Sequence, residues 1–425
     1  MLKATNDKVA KSLINAIARL GYQLCLDQDH DRNVIISPVG IISMLAMVYA
    51  GAQGETRQQL ASVLGDGGTE ATLSNLAALI HELGERSQLT AAEVHAIRQW
   101  QTKQEELRAQ GGTPQEAAWE VLQRMGSIGL NSQDVLGFKL VVANSLWLQA
   151  DYSYQSAFLT QVRDMLKAQV NLVNFQERRD EACALMNVWV RGNTHGLITS
   201  IMTPAMLPTI VRAIPANAVY FKGLWQQEFS SPYPGSFHLF DGTTAQVQMM
   251  NQQEYRLYVE NKDFRAVILP YKYRPVSMIL VLPQLSGKRA FIELERKLAQ
   301  KEYDYLVTGA KKQEVRLTMP EFEIDFQKDL RPILSELGLG SVFAKGDFSG
   351  ISDEAGFGID SMLHQARIHL DRYGTEAAAT ATSVIFGMSV PPKLVEFKLD
   401  RPFLFLILDE PTGIVLFAGR FVRPG

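Results

Sequence analysis

Cysteine is nearly absent: Cys25 and Cys183 are the only two in 425 residues, with no CxxC pair and no Cys/His spacing suited to a metal. That scarcity excludes a disulfide scaffold. Two reduced or buried thiols packing as small apolar side chains are expected, with a single Cys25–Cys183 disulfide left open. A dominant charge sign is missing too. With 42 basic and 45 acidic residues the net charge is -3, and no run of Lys and Arg stands out. Nucleic acid is therefore not expected as a partner. No apolar run is long enough to span a bilayer, so no membrane partner is expected. Residues Met1 to Asp29 interleave Lys3, Lys8, Lys11 and Arg19 with apolar positions and lack the unbroken apolar core of a signal peptide. The expectation is a cytoplasmic chain, or one secreted after losing a leader that precedes this numbering.

Catalytic signatures are missing as well. The seven histidines show no HExxH or other ligand spacing, so neither metal nor cofactor is expected. No GxSxG elbow occurs; Gly346-Asp-Phe-Ser349-Gly350 misses it by one position. Gly287-Lys288 lacks the upstream glycine of a phosphate loop. His364 adjoins an alternating stretch and reads as a satisfied core histidine rather than a base. No nucleophile and base come together, and the protein is not expected to be an enzyme.

What is present reads as helices first and strands after. Val9, Leu13, Ile17, Leu20 and Leu24 give one helical stripe. Ser37-Pro38 is an N-cap and first-turn pair opening a helix whose body, Ile41 to Val48, is apolar on nearly every face and ends at Gly51. Thr56 with Gln59 reads as a capping box for a third helix closing at Gly65. Residues 86–130 carry two more capping boxes, Thr90/Glu93 and Thr113/Glu116, and read as a helical insertion. From about 140 the texture is β-rich: Val141 to Leu148, Ala218 to Phe221, Val276 to Leu282, Val315 to Phe326, Val395 to Leu399, Phe403 to Leu408 and Ile414 to Phe421. Phe240-Asp241-Gly242-Thr243 is a tight-turn signal. The order predicts an α+β fold, with residues 1–425 as a single domain.

One segment departs from ordinary packing. Residues 374–392 read GTEAAATATSVIFGMSVPP. At period two, one face carries Thr375, Ala377, Ala379, Ala381 and Ser383, all small, before Ile385. Such a face can slide into a crowded sheet; a plain linker has no reason to ration bulk at alternate positions.

Several blocks in order resemble the serpin family over nearly the whole chain. They are Asn33 to Pro38 with Gly54-Glu-Thr56, Asn217 to Trp225, Leu317 to Phe322, Asp347 to Ser352, the hinge Gly374-Thr375-Glu376-Ala377-Ala378-Ala379-Thr380, and Arg401 to Phe405. The resemblance implies three β-sheets, eight or nine helices and an exposed reactive loop, here about 374–392. It implies a monomer whose partner is a target serine protease, held as a covalent acyl-enzyme while the cleaved loop inserts as a strand. Counting from the hinge glycine puts the reactive bond at Met388-Ser389. Unbranched, apolar Met388 suits the S1 pockets of elastase-, chymotrypsin- or subtilisin-like enzymes. Sheet opening falls to Ser37, Asn217 and His364, with Trp225 at the end where the loop enters. The rival readings are a non-inhibitory serpin (chaperone, carrier or storage protein) and a hydrolase; small hinge residues argue against the first and missing motifs against the second. Two departures stand out. Gly40 replaces a common serine, removing a hydroxyl from the cluster. Arg372 and Glu321 reverse the usual signs at the hinge, which suggests a swapped ion pair between them.

Overall fold

The computed structural model describes residues 29–64, 74, 77–79, 81–82, 138–194, 196–272, 275–298, 306, 308–375 and 394–425. The stripe from Val9 to Leu24, the 86–130 insertion, and residues 376–393 of the loop lie outside them.

Strand β1 (Val34–Ile36) leads into α1 (Pro38–Gly51). Ser37 caps this helix by accepting a hydrogen bond from the Gly40 amide (3.3 Å). An apolar surface on every side requires burial on every side, and all of α1 except Ala50 is buried. Helix α2 (Gly54–Leu64) begins two residues before the expected Thr56 cap. The Thr56 hydroxyl instead accepts from the Asp347 amide (2.8 Å), and Gln59 turns back to Glu55. A tertiary contact thus claims the side chain that local chemistry marked as a cap.

Strand β2 (Phe138–Gln149) is followed by α3 (Ser156–Asp164), β3 (Gln169–Val173), α4 (Arg179–Asn193) and β4 (Ala213–Leu224). Next come β5 (Tyr233–His238), β6 (Thr244–Glu260), β7 (Phe264–Pro270), β8 (Val276–Pro283) and α5 (Lys288–Lys297). The expected run from Val315 to Phe326 is two strands, β9 (Lys311–Pro320) and β10 (Phe322–Asp329), in different sheets. Pro320 has no N–H to continue the ladder, and the chain crosses over at Glu321. After α6 (Arg331–Leu334) and α7 (Gly340–Lys345) come β11 (Leu363–Leu370), β12 (Gly374–Thr375), β13 (Val395–Lys398), β14 (Phe403–Asp409) and β15 (Ile414–Phe421).

The described strands form two hydrogen-bonded sheets. The six-stranded one runs β10-β11-β12-β4-β2-β3. The nine-stranded one runs β1-β15-β14-β8-β7-β6-β9-β13, with β5 on β6. Strand β6 is 17 residues long and pairs in turn with β5, β9 and β7, so two of the three expected sheets are continuous through it. The β5–β6 turn uses Gly242 at φ 84°, with Asp241 accepting from the Thr243 amide (2.8 Å), as its sequence predicts.

Both faces of β4, central in the six-stranded sheet, are buried, which explains why it is apolar almost without interruption. Val219, Phe221, Ala366 and Ile368 join the main core, where α1 packs against β2, β4 and β15. Ile214, Ala216, Ala218 and Leu363 face a second core with α4, where Trp147 and Trp189 meet edge to face at 6.3 Å. Cys183 lies buried there as a free thiol, its pKa raised by burial.

Candidate functional site: a fork in the six-stranded sheet

Strands β11 and β4 run parallel and pair directly from Leu363–Ala216 to Arg367–Tyr220, with His364 opposite Asn217. Paired residues point to the same face, here toward α1 and its cap Ser37. His364 is fully buried. Its Nε2 accepts from the Ser37 amide (3.1 Å), so the proton sits on Nδ1 and is donated to Asn217 Oδ1 (3.0 Å). Burial pushes the imidazole pKa down to about 3, keeping it neutral. The Ser37 hydroxyl donates to the Leu416 carbonyl (2.8 Å). Asn217 Nδ2 donates to the Ala143 carbonyl (3.1 Å) and to Asn144 Oδ1 (2.7 Å). The three residues singled out from sequence are therefore brought together, and Asn144 joins them. Its signal was a lone amide within the apolar run Val141 to Leu148.

Gly40 is accounted for by the same cluster. A Cβ there would lie 2.2 Å from Asn217 Oδ1 and 2.9 Å from Val219 Cγ2. The space a serine would take is filled by the Asn217 amide, which makes bonds of its own.

Above Arg367 and Tyr220 the two strands part, and β12 fills the gap. Thr375 pairs with Leu370 on one side and with Gly223 on the other. The chain reaches this place by reversing directly after β11. Asp371 Oδ1 accepts from the amides of Tyr373 (2.8 Å) and Gly374 (3.1 Å), while the Asp371 amide donates to the Gly374 carbonyl (2.9 Å). Gly374 meets the backbone of β4 so closely that a Cβ would stand 2.1 Å from the Gly223 carbonyl oxygen. Only glycine fits.

Trp225 lies at this end, as expected. It is 3% exposed and stacked on Tyr271, with centroids 4.6 Å apart. Its indole donates to the Asp371 carbonyl (3.1 Å) and its amide to the Tyr373 carbonyl (2.9 Å). The Phe229 amide donates to the Arg372 carbonyl (2.9 Å), so all three residues of the turn are held from β4 and its continuation. Asp371 was not singled out from sequence, although Asp three residues before Gly is a turn signal.

The expected Arg372–Glu321 ion pair does not form. The tight turn directs the guanidinium over the Tyr373 ring (4.5 Å) and to the Ser231 hydroxyl (2.8 Å). Glu321 meets Arg372 through the backbone amide instead, and burial raises its carboxyl pKa. Glu376, Ala377, Ala378, Ala379, Thr380, Met388 and Ser389 lie outside the described residues.

A mixed fold with a buried, forked sheet and a chain reversal at its open end defines a serpin architecture. The serpin (serine protease inhibitor) family profile matches residues 13–424. The chain belongs to the serpin family, and its fold is the metastable serpin fold. It is 30% identical to a serpin-like protein of Thermococcus kodakarensis, covering 97% of this chain and 86% of that one. It is 28% identical to the leukocyte elastase inhibitor of Equus caballus, covering 94% and 95%. Among solved structures, Arabidopsis AtSerpin1 in its native stressed conformation matches at a TM-score of 0.76 and 27% identity, covering 98% of both chains.

Proposed function

We propose that the protein is a suicide-substrate inhibitor of serine proteases with apolar S1 pockets. Met388-Ser389 is the bond offered. The protease serine attacks the Met388 carbonyl carbon, the amide to Ser389 breaks, its amine leaves with the proton, and Met388 remains as an ester on the enzyme. The freed strand then enters between β11 and β4, adding ladder hydrogen bonds on both sides. Displacement and deformation of the protease stall deacylation.

One observation carries this reading: Gly374 and Thr375, the two residues directly before the rest of the small-residue segment in sequence, already occupy the top of that gap. Direct β11–β4 pairing below leaves the remaining path closed until the strands part. Ser37, Asn217 and His364 gate that parting, and Trp225 guards its mouth. A relative that is by name a leukocyte elastase inhibitor supports the apolar target class. Mixing the protein with elastase, chymotrypsin and subtilisin should give an SDS-resistant complex with at least one. Cleavage near residue 388 with no complex would instead make it a substrate and a non-inhibitory serpin.

A further inference from the structure

We propose that Asp371 is a positioning residue that sets the register in which the loop enters the sheet. This rests on the inhibitory reading above. The Asp371 carboxylate takes both amides that the tight reversal would otherwise leave without partners, those of Tyr373 and Gly374. Its own amide closes the turn on the Gly374 carbonyl, and its carbonyl is held by Trp225. So closed, the turn commits Thr375 to the level of Leu370 and Gly223.

Two ladders continued from that level agree. Six residues beyond Thr375 stands Ala381. Six residues back from Leu370 stands His364, and six back from Gly223 stands Asn217. Those two are already direct partners in the β11–β4 ladder. Continued in that register, position 381 would fall between the imidazole and the amide that now share a 3.0 Å hydrogen bond. Positions 375, 377 and 379 would fall on the same face of the ladder by the period of two. A slip of one residue would exchange the two faces and send Glu376 into the core. A residue that holds the turn thus decides whether the small face or the other one is buried.

Disulfide trapping tests this directly. Four residues beyond Thr375 is Ala379, and four back from Leu370 is Ala366, so their Cβ atoms would face each other at a spacing a disulfide can bridge. The doubly substituted protein (Ala366→Cys with Ala379→Cys) is cleaved in its loop by subtilisin, oxidised, and mapped by peptide mass. The cross-link is expected with Ala379→Cys, and not when Ala378→Cys or Thr380→Cys replaces it. Adding Asp371→Ala, which removes two hydrogen bonds, should lower the yield at 379 at least about fivefold, the factor one of them is worth. Asp371→Asn, whose amide oxygen can accept the same two N–H groups, should restore it. A cross-link at 378 or 380, or an undiminished yield in Asp371→Ala, overturns the register proposal alone. No cross-link at any of the three, with no gain in heat resistance on cleavage, overturns the inhibitory reading and this proposal with it.

Discussion

His364 donates from Nδ1 to Asn217 across the seam between β11 and β4, while its bare Nε2 accepts from the Ser37 amide. A protonated imidazole would have a second N–H facing the Ser37 amide, donor against donor, in a fully buried site. The seam therefore depends on a neutral histidine.

The sign of the pH effect follows. The folded pKa, about 3, is below the unfolded value near 6.5, so the unfolded chain binds the extra proton between them. The stabilisation is complete above about pH 6.5 and is lost as pH falls toward 3, by about 1.4 kcal/mol per unit. Urea midpoints at pH 7.5, 5.5 and 4.5 should show this fall, and His364→Gln should flatten it. Equal slopes in both proteins would contradict the assignment.

Gly40→Ser restores the residue common in the family, yet it should destabilise this protein. The new Cβ collides with the Asn217 amide. A cost of about 1–3 kcal/mol is expected from such overpacking, read as a lowered unfolding midpoint. An unchanged midpoint would mean that Asn217 moves aside freely.

Ala377→Arg should turn inhibitor into substrate. Continued from Thr375, the ladders bring residue 377 between Ile368 and Phe221, each 1% exposed. An unpaired charge there costs several kcal/mol, so insertion should lose its race with deacylation. The SDS-resistant complex should drop at least about tenfold while loop cleavage continues. Full complex yield would refute it.

Mild oxidation should abolish inhibition if Met388 occupies S1, because the sulfoxide is polar and branched at sulfur. Activity after treatment, with peptide mass confirming sulfoxide at 388, is the measurement. Unchanged inhibition by fully oxidised protein would move the reactive bond elsewhere. Met388→Leu should inhibit before and after treatment alike.

Much of the fold was legible because local chemistry and burial agreed. The Ser37 cap with its apolar helix, the Asp241-Gly242 turn and the three C-terminal strands all stand where their sequences predict. Legibility failed where a distant group outbid a neighbour. Thr56 gives its hydroxyl to Asp347, and Arg372 turns to Ser231 and Tyr373 rather than to Glu321. Opposite charges beyond the facing ends of neighbouring strands look like a pair on paper. Side-chain direction, set by the turn, decides otherwise.

By itself the sequence determined the serpin class, the buried helix behind Ser37 and the small residues at alternate positions after Gly374. These are matters of residue order and period, which need no partner to be read. Only the tertiary structure decided that Asn144 completes the seam and that Gly40 is required by Asn217. The same holds for Thr375, which already stands between Leu370 and Gly223. Each of these depends on which strands lie side by side and in what register, a relation between residues tens to hundreds of positions apart. Local propensity carries no trace of it.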